Sequence, residues 1–291
     1  MVRPMPPPDL NKTRTRNLPN STQNGLFASV PLPPKTPIIR LSCPLLALLQ
    51  NSALETHCSN CLFLAPLLLP CRLCDAARFC EGCKEAHIVS RRRGMAGRHD
   101  AECATFRRVT QERGEGGMLP TPVRGAAHVL ARFGEEGVRE RVRGMVGWRD
   151  KQLGAGKGVE LQAKAVVHYS GMEMGRGRLE DALELLCVMN VNSFRITDAN
   201  GDEIGIGFDP LLGMANHSCA PNASLEFDGR CAVLTALTHI EEGEEITISY
   251  IDTTQPRAAR QAFLQEHYYF TCACPACTTS STPPVAVIPG S

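Results

Sequence analysis

The sequence predicts an α+β fold that is mostly β, with a helical segment inserted in its middle, and three observations carry that expectation. Ala223, Leu225 and Phe227 alternate with Ser224, Glu226 and Asp228, Asp228-Gly229 supplies a tight turn, and Cys231 to Leu237 reads as the returning strand of a hairpin. From Pro122 to about Asn190 the pattern is helical, and Leu179, Ala182, Leu183, Leu186 and Cys187 fall on one apolar face. The 14 cysteines gather in close pairs, most of them between Cys58 and Cys103 and between Cys272 and Cys277.

At 291 residues and 43% hydrophobic, the chain can bury the core of one large or two modest domains. Lys plus Arg (31) nearly balance Asp plus Glu (30), so no global field favours a nucleic acid or a membrane surface. A DNA-binding regulator would also need a basic recognition helix, which is lacking, and direct nucleic-acid binding is not expected. Arg91-Arg92-Arg93 reads as a solvated loop. The apolar runs Pro44 to Leu49 and Leu62 to Leu69 are far shorter than the roughly 20 residues that cross a bilayer, so no membrane association is expected. The first 24 residues hold prolines and polar residues in place of a secretory apolar segment, which predicts a nuclear or cytoplasmic protein that is not secreted. In a reducing compartment metal ligation explains the paired cysteines better than disulfides do.

Taken in order, residues 1–20 have no apolar periodicity and are expected to be disordered. Order is expected from Asn24-Gly25-Leu26-Phe27-Ala28 onward, with a strand at Thr36 to Leu41. The helical stretch has weak breaks at Gly144, Gly147 and residues 154–158. Ile204 to Phe208 and Ile246 to Ser249 read as strands, and Pro256 opens a helix from Arg257 to His267. Residues 278–291 resemble the start of the chain in composition and are expected to be disordered.

Cys58 and Cys61, Cys71 and Cys74, and Cys80 and Cys83 form three CxxC pairs, and His99 with Cys103 adds an HxxxC pair. Eight such ligands fill two tetrahedral zinc sites, with His87 an alternative to His99. Cys272, Cys274 and Cys277 are one ligand short of a closed zinc site. Cys219, which follows the polar run Asn216-His217-Ser218, is the best candidate for the fourth; Cys43, Cys187 and Cys231 then read as ordinary buried cysteines.

The first cysteine block resembles the MYND-type zinc finger, in which two sites interleave. That resemblance implies one ion on Cys58, Cys61, Cys80 and Cys83 and a second on Cys71, Cys74, His99 and Cys103. It also implies a finger that supports folding and can bind Pro-rich peptide partners. Asn216-His217-Ser218-Cys219 with Pro221-Asn222, then Gly243-Glu244-Glu245, Tyr250, Tyr268, Phe270 and the terminal CxCxxC resemble a SET-domain methyltransferase with its zinc-bearing post-SET segment. A finger inserted into a split SET domain is similar to the SMYD family over nearly all of residues 24–277.

The resemblance implies a mostly β SET fold split by the finger: a SET segment at 21–57, the finger at 58–103, a helical insert at 104–190, the core SET segment at 191–255 and the post-SET helix and zinc cluster at 256–277. It further implies protein-lysine methylation from S-adenosyl-L-methionine, on a histone tail or a non-histone protein, with three zinc ions. Such an in-line displacement needs an aligned, unprotonated amine, and a dry aromatic channel disfavours the ammonium of a lysine whose ordinary pKa is about 10.4. By resemblance Tyr250 is the catalytic tyrosine, Tyr268 lines the lysine channel, and Phe270 packs near the adenine. Asn24, Gly25 and Leu26 would form the cofactor loop, and Asn192, Asn216 and His217 would contact the cofactor. Glu244 and Glu245 read as a solvated turn rather than a general base. The alternative is a catalytically weak scaffold that recruits Pro-rich partners, suggested by Gln23, where a glycine is common, and by a short, irregular region between Cys103 and Arg178.

Overall fold

The computed structural model describes residues 10–18, 24–85, 99–114, 116–156, 158–172 and 175–278. Its largest sheet runs β1-β4-β12-β11, with β1 Leu10–Asn11, β4 Pro37–Leu41, β11 Ala223–Asp228 and β12 Cys231–Ala236. The hairpin forms where alternation predicts it, pairing Ala223 with Ala236 and Asp228 with Cys231. Its central strand β12 then pairs with β4, Leu234 opposite Ile39. Ala232, Leu234 and Ala236 alternate inward and pack with Ile38 and Ile39, so one face of this sheet is core.

A second sheet, β5 (Leu46–Leu49), β9 (Glu203–Phe208) and β8 (Phe194–Thr197), carries the helical insert on one side. Among the helices, α3 (Thr121–Ala131), α6 (Val159–Ser170) and α7 (Arg176–Asn192) bury Leu130, Val166, Leu185 and Leu186 against Leu46 and Phe208. A Cβ at Gly125 would lie 2.9 Å from the Leu46 side chain, so glycine lets α3 settle on β5. Between α7 and the short helices α4 (Val138–Arg143) and α5 (Arg149–Gly154), Asp181 accepts from Arg139 and Arg143. Gln152 donates to the Gly147 and Cys187 carbonyls, which anchors the loop 144–148 to α7.

The finger follows β5 and contains β6 (Leu69–Pro70), β7 (Arg78–Phe79) and helical residues 81–85, α1. It is gripped by the turn of the β11–β12 hairpin. Gly229 holds φ at +57°, and a Cβ there would lie 2.4 Å from the Cys61 carbonyl oxygen. Arg230 donates to the carbonyls of Asn60 and Ser59. The remaining elements are β2 (Thr13–Asn17) paired with β3 (Asn24–Ala28), the parallel pair β10 (Asn216–His217) and β13 (Thr247–Ile248), α8 (Arg257–Tyr268) and α9 (Pro275–Thr278).

Four expectations need correction. Leu10–Asn11 and Thr13–Asn17 are strands, not a disordered tail: β2 is a mostly exposed strand, so no apolar pattern marks it, and its order comes from the β3 backbone and from Arg16 stacked 4.0 Å over the Phe27 ring. The finger does not end at residue 103, because α2, Asp100–Arg113, runs through Cys103; the HxxxC spacing is one helical turn, and the Cys103 N–H donates to the His99 carbonyl. The region after Cys103 is a set of packed helices rather than an irregular connection. Cys187 is buried as expected, whereas Cys43 is exposed and Cys231 is half-buried. Gln23, His87, Arg91 to Arg93 and the chain beyond Thr278 lie outside the described residues.

Candidate active site and metal centres

Three groups of four soft ligands come together: Cys58, Cys61, Cys80 and Cys83; Cys71, Cys74, His99 and Cys103; and Cys219, Cys272, Cys274 and Cys277. Within each group the ligand atoms all lie within 4.8 Å of one another. A tetrahedral ion with zinc–sulfur bonds of about 2.3 Å sets its sulfurs about 3.8 Å apart. Cys61 and Cys80 sulfurs are 3.9 Å apart, Cys71 and Cys103 3.9 Å, and Cys219 and Cys272 4.0 Å, so donor set and spacing both fit three zinc ions.

The groups around these clusters are those that tune a zinc site. His99 turns Nε2 toward Cys74 and Nδ1 toward Glu102 Oε2 at 3.3 Å, an outer carboxylate that fixes the ring. Burial alone would raise the Glu102 pKa, but the His99 hydrogen bond and the Arg124 charge reverse that and hold it below the usual carboxylate value. At the third cluster Arg260 Nε donates to Cys219 Sγ at 3.3 Å and Nη2 reaches toward Cys277, setting a positive charge against four thiolates.

His217 links this cluster to Tyr250. The Tyr250 N–H donates to His217 Nδ1 at 3.1 Å, so the neutral ring carries its proton on Nε2, which faces Cys219 Sγ at 3.3 Å. Burial, with the nearby Arg260 charge adding, pushes His217 down to about 4, which keeps the ring neutral at pH 7. Both ring nitrogens are therefore engaged within the protein, and only the ring face and backbone of His217 remain for a ligand.

Two cavities, of about 430 and 390 Å³, share Val191, Asn192, Gly213, Tyr250 and Tyr268 as a common wall. The first is lined by Asn24, Asn216, His217, Glu245, Thr247 and Phe270; the second by Arg195, Ser224, Ile248 and Asp252, among others. The Tyr250 and Tyr268 rings are 5.0 Å apart, and His217 sits 5.3 Å from Tyr250 and 5.9 Å from Phe270. The Tyr250 hydroxyl donates to the Ala215 carbonyl at 2.8 Å, and burial raises its pKa well above the usual 10. Burial raises Tyr268 as well.

Of the residues singled out from the sequence, Asn24, Asn192, Asn216, His217, Tyr250, Tyr268 and Phe270 line the first cavity. Gly25 and Leu26 do not: Leu26 is fully buried with Ile38 and Ile39, and of β3 only Asn24, the half-buried first residue of the strand, reaches the cavity. Asn192 uses its amide to bond the Val146 and Val188 carbonyls, tying the loop 144–148 to the end of α7. Sequence reasoning missed Leu18, Met145, Trp148 and Glu245, all in the lining. Glu245 is not a solvated turn residue: it is half-buried, and Asn216 Nδ2 donates to its Oε1 at 2.8 Å. Alternation could have found it, since Ile246 and Ile248 are core and Glu245 and Thr247 fall on the opposite face. Nothing local marks Trp148, whose loop reaches the cavity only through tertiary packing.

A family model described as the SET domain matches residues 23–251. The chain is 28% identical over 268 residues to the mouse histone-lysine N-methyltransferase SMYD3, covering 88% of this chain and 59% of that protein. It is 27% identical over 260 residues to SET domain and MYND-type zinc finger protein 6 of Schizosaccharomyces pombe, covering 89% and 50%. It is 32% identical over 121 residues to the human N-lysine methyltransferase SMYD2, covering 42% and 28%. The chain thus spans less than two thirds of the length of the curated relatives it matches.

Proposed function

Since this chain belongs to the SET-domain family, we propose that it is a protein-lysine N-methyltransferase that uses S-adenosyl-L-methionine and acts on a histone tail or a non-histone protein. The observation that carries this proposal is the pair of cavities that meet at Tyr250 and Tyr268. The first holds polar groups suited to a nucleoside amino acid, and the second would take the substrate lysine and the peptide that carries it. When bound, the donor supplies a methyl carbon whose bond to sulfur breaks as a bond to the lysine Nζ forms, the amine proton leaving to water.

The chain's own residues do the rest. With its hydrogen given to the Ala215 carbonyl, the Tyr250 oxygen has lone pairs free to accept an N–H of the incoming amine, which aims the nitrogen lone pair at the methyl group. The raised Tyr250 pKa keeps this phenol neutral, so no buried phenolate would hold the lysine as an ammonium. Tyr268 completes the aromatic wall, and alignment of the two reactants does most of the catalytic work. Asn24 and Asn216, with the backbone at His217, support donor binding, Phe270 the adenine, and Asn192 the rim. The third zinc ties the Cys219 loop to the post-SET segment, and the other two order the finger.

The division into a first SET segment that takes in β1 and β2 and ends at 57, a finger from 58 whose boundary with the helical insert falls inside α2, an insert ending at 190, a core segment at 191–255 and a post-SET segment at 256–277 belongs to the same proposal. Leu64, Leu67 and Leu73 of the finger are exposed and support a role for it in holding Pro-rich peptides. Net charge near zero gives no support to direct nucleic-acid binding. A nuclear or cytoplasmic, non-secreted protein remains the proposal for location; no described helix is long and apolar enough to cross a membrane.

The test is donor binding by calorimetry with zinc-loaded protein, followed by transfer of labelled methyl to a protein array. Asn216→Ala is expected to weaken donor binding, and Tyr250→Phe to cut transfer by about 100-fold while leaving donor binding nearly intact, the scale of losing one positioned group. Absence of donor binding by folded, zinc-loaded protein would overturn the proposal.

A further inference from the structure

Glu245 has no part in the steps above, yet its surroundings describe a ligand contact. Its Oε1 accepts from Asn216 Nδ2 at 2.8 Å, and the same Nδ2 reaches the Asn24 carbonyl at 3.3 Å. Both amide hydrogens of Asn216 are used inside the wall, which leaves Oδ1 as the acceptor available to a ligand. A Cβ at Gly25 would lie 3.0 Å from Glu245 Oε1, so this glycine makes room for the carboxylate next to Asn24. Among the described residues, no Lys, Arg or His forms an ion pair with Glu245. A half-buried carboxylate without an ion-pair partner and an amide oxygen thus meet at one corner of a cavity, with Arg16, the cross-strand partner of Gly25, stacked on the neighbouring Phe27 ring.

That corner suits a cation bearing N–H groups. The methyl donor carries two positive charges, and only the α-ammonium has hydrogens to give; the sulfonium has none. Resting on the donor-site reading above, we propose that Glu245 is a binding residue for the methyl donor: its carboxylate is the counter-charge to the donor's α-ammonium, and by holding Asn216 it turns Oδ1 toward the same group. Glu245 therefore acts on affinity for the amino-acid half of the donor and leaves the methyl-transfer step alone. The hydrogen bond to Asn216 and the charge facing the ammonium are separable, because a glutamine keeps an acceptor for Asn216 and loses only the charge.

The experiment compares the full zinc-loaded chain with Glu245→Gln by calorimetry against three probes: S-adenosylmethionine, S-adenosylhomocysteine, which keeps the ammonium and lacks the sulfonium charge, and 5′-methylthioadenosine, which has neither. The expected result is a loss of about 10-fold or more for the first two, the scale of one charge-assisted hydrogen bond, with 5′-methylthioadenosine within twofold of wild type. An equal loss on all three would make Glu245 a purely structural residue and overturn the inference, as would unchanged affinities; a loss on S-adenosylmethionine alone would assign the charge to the sulfonium and overturn it too. Should the variant fold poorly, wild-type affinity for S-adenosylhomocysteine against its analogue lacking the amino group decides the matter, a gap of about 10-fold being expected and equal binding refuting it. Wild-type protein that binds none of these nucleosides would instead remove the donor-site reading, an outcome distinct from wild-type and variant binding all three alike.

Discussion

Replacing Arg124 by leucine should destabilise the chain more than any surface change. Arg124 is 1% exposed and Glu102 5%, and Nη1 of the arginine donates to Oε1 of the glutamate at 2.5 Å. Its Nη2 also donates to the Leu49 carbonyl at 2.6 Å, and its guanidinium lies 5.1 Å from the Phe106 ring centre. Leucine fills part of the volume but leaves Glu102 charged, buried and paired only with His99. Removing one member of a buried pair costs about 3–5 kcal/mol, a large share of the 5–15 kcal/mol typical of a folded domain. At about 2–4 °C per kcal/mol, the melting temperature should fall by roughly 6–20 °C. Because Glu102 also orients His99, Arg124→Leu should speed zinc loss from the second finger site to a chromophoric chelator. The double variant Arg124→Leu with Glu102→Gln removes the stranded charge and should recover at least half of the lost stability. A melting shift under about 3 °C in the single variant, or a double variant as unstable as the two losses added together, would refute the buried-pair account.

Gly229→Ala should loosen the hairpin turn from the finger, since the new methyl would meet the Cys61 carbonyl oxygen at a left-handed φ; a cost of about 1–3 kcal/mol in denaturant titration is expected, and no change would refute the close packing. Cys274→Ser should release the third zinc and lower methyl transfer while the finger keeps two ions, read as metal stoichiometry by mass spectrometry; retention of three ions would exclude Cys274 as a ligand. Desolvation holds His128 down to about 4, below its unfolded value near 6.5, so the unfolded chain binds the proton first. Its contribution to stability is full above about pH 6.5 and is lost as pH falls toward 4; His128→Gln should flatten the stability profile between about pH 4 and 6.5, and an unchanged slope there would refute this. The raised Tyr250 pKa predicts that transfer rises with pH as lysine deprotonates, with no downturn at or below pH 10, and a downturn there would show that the phenol ionises earlier.

Much of this arrangement was legible from spacing. The hairpin at Ala223 to Ala236 follows from strict alternation, and the CxxC pairs declared their ligands because a tight turn brings both sulfurs to one ion. The fourth ligand of the last cluster could be placed at Cys219 by counting. What spacing did not reveal was pairing by exposed backbone. Thr13–Asn17 is polar on both faces and is a strand only because β3 offers it hydrogen bonds. The cavity wall from Met145 to Trp148 was equally hidden, since the loop reaches the site through Gly147, whose absent side chain lets it lie against the backbone of Val188. Glu245 was misjudged because two neighbouring glutamates suggest water, whereas strand alternation turned one of them inward.

The seating of β12 between β4 and β11 also governs how the chain can be made. Val233 pairs with Arg40, so β4, whose other neighbour β1 precedes it in the chain, meets β12 only after roughly 190 further residues have been synthesised. At about 5–20 residues per second that is an interval of roughly 10–40 s, during which Ile38 and Ile39 lack the cover they have in the finished sheet. The finger's ligands all emerge within this interval, so metal can be captured and the finger ordered well before the sheet closes. The hairpin must then dock in one late step that joins β4 on one side and the finger on the other. Slow, concentration-sensitive refolding, relieved by a chaperone that shields apolar strands, is the expected signature of that topology.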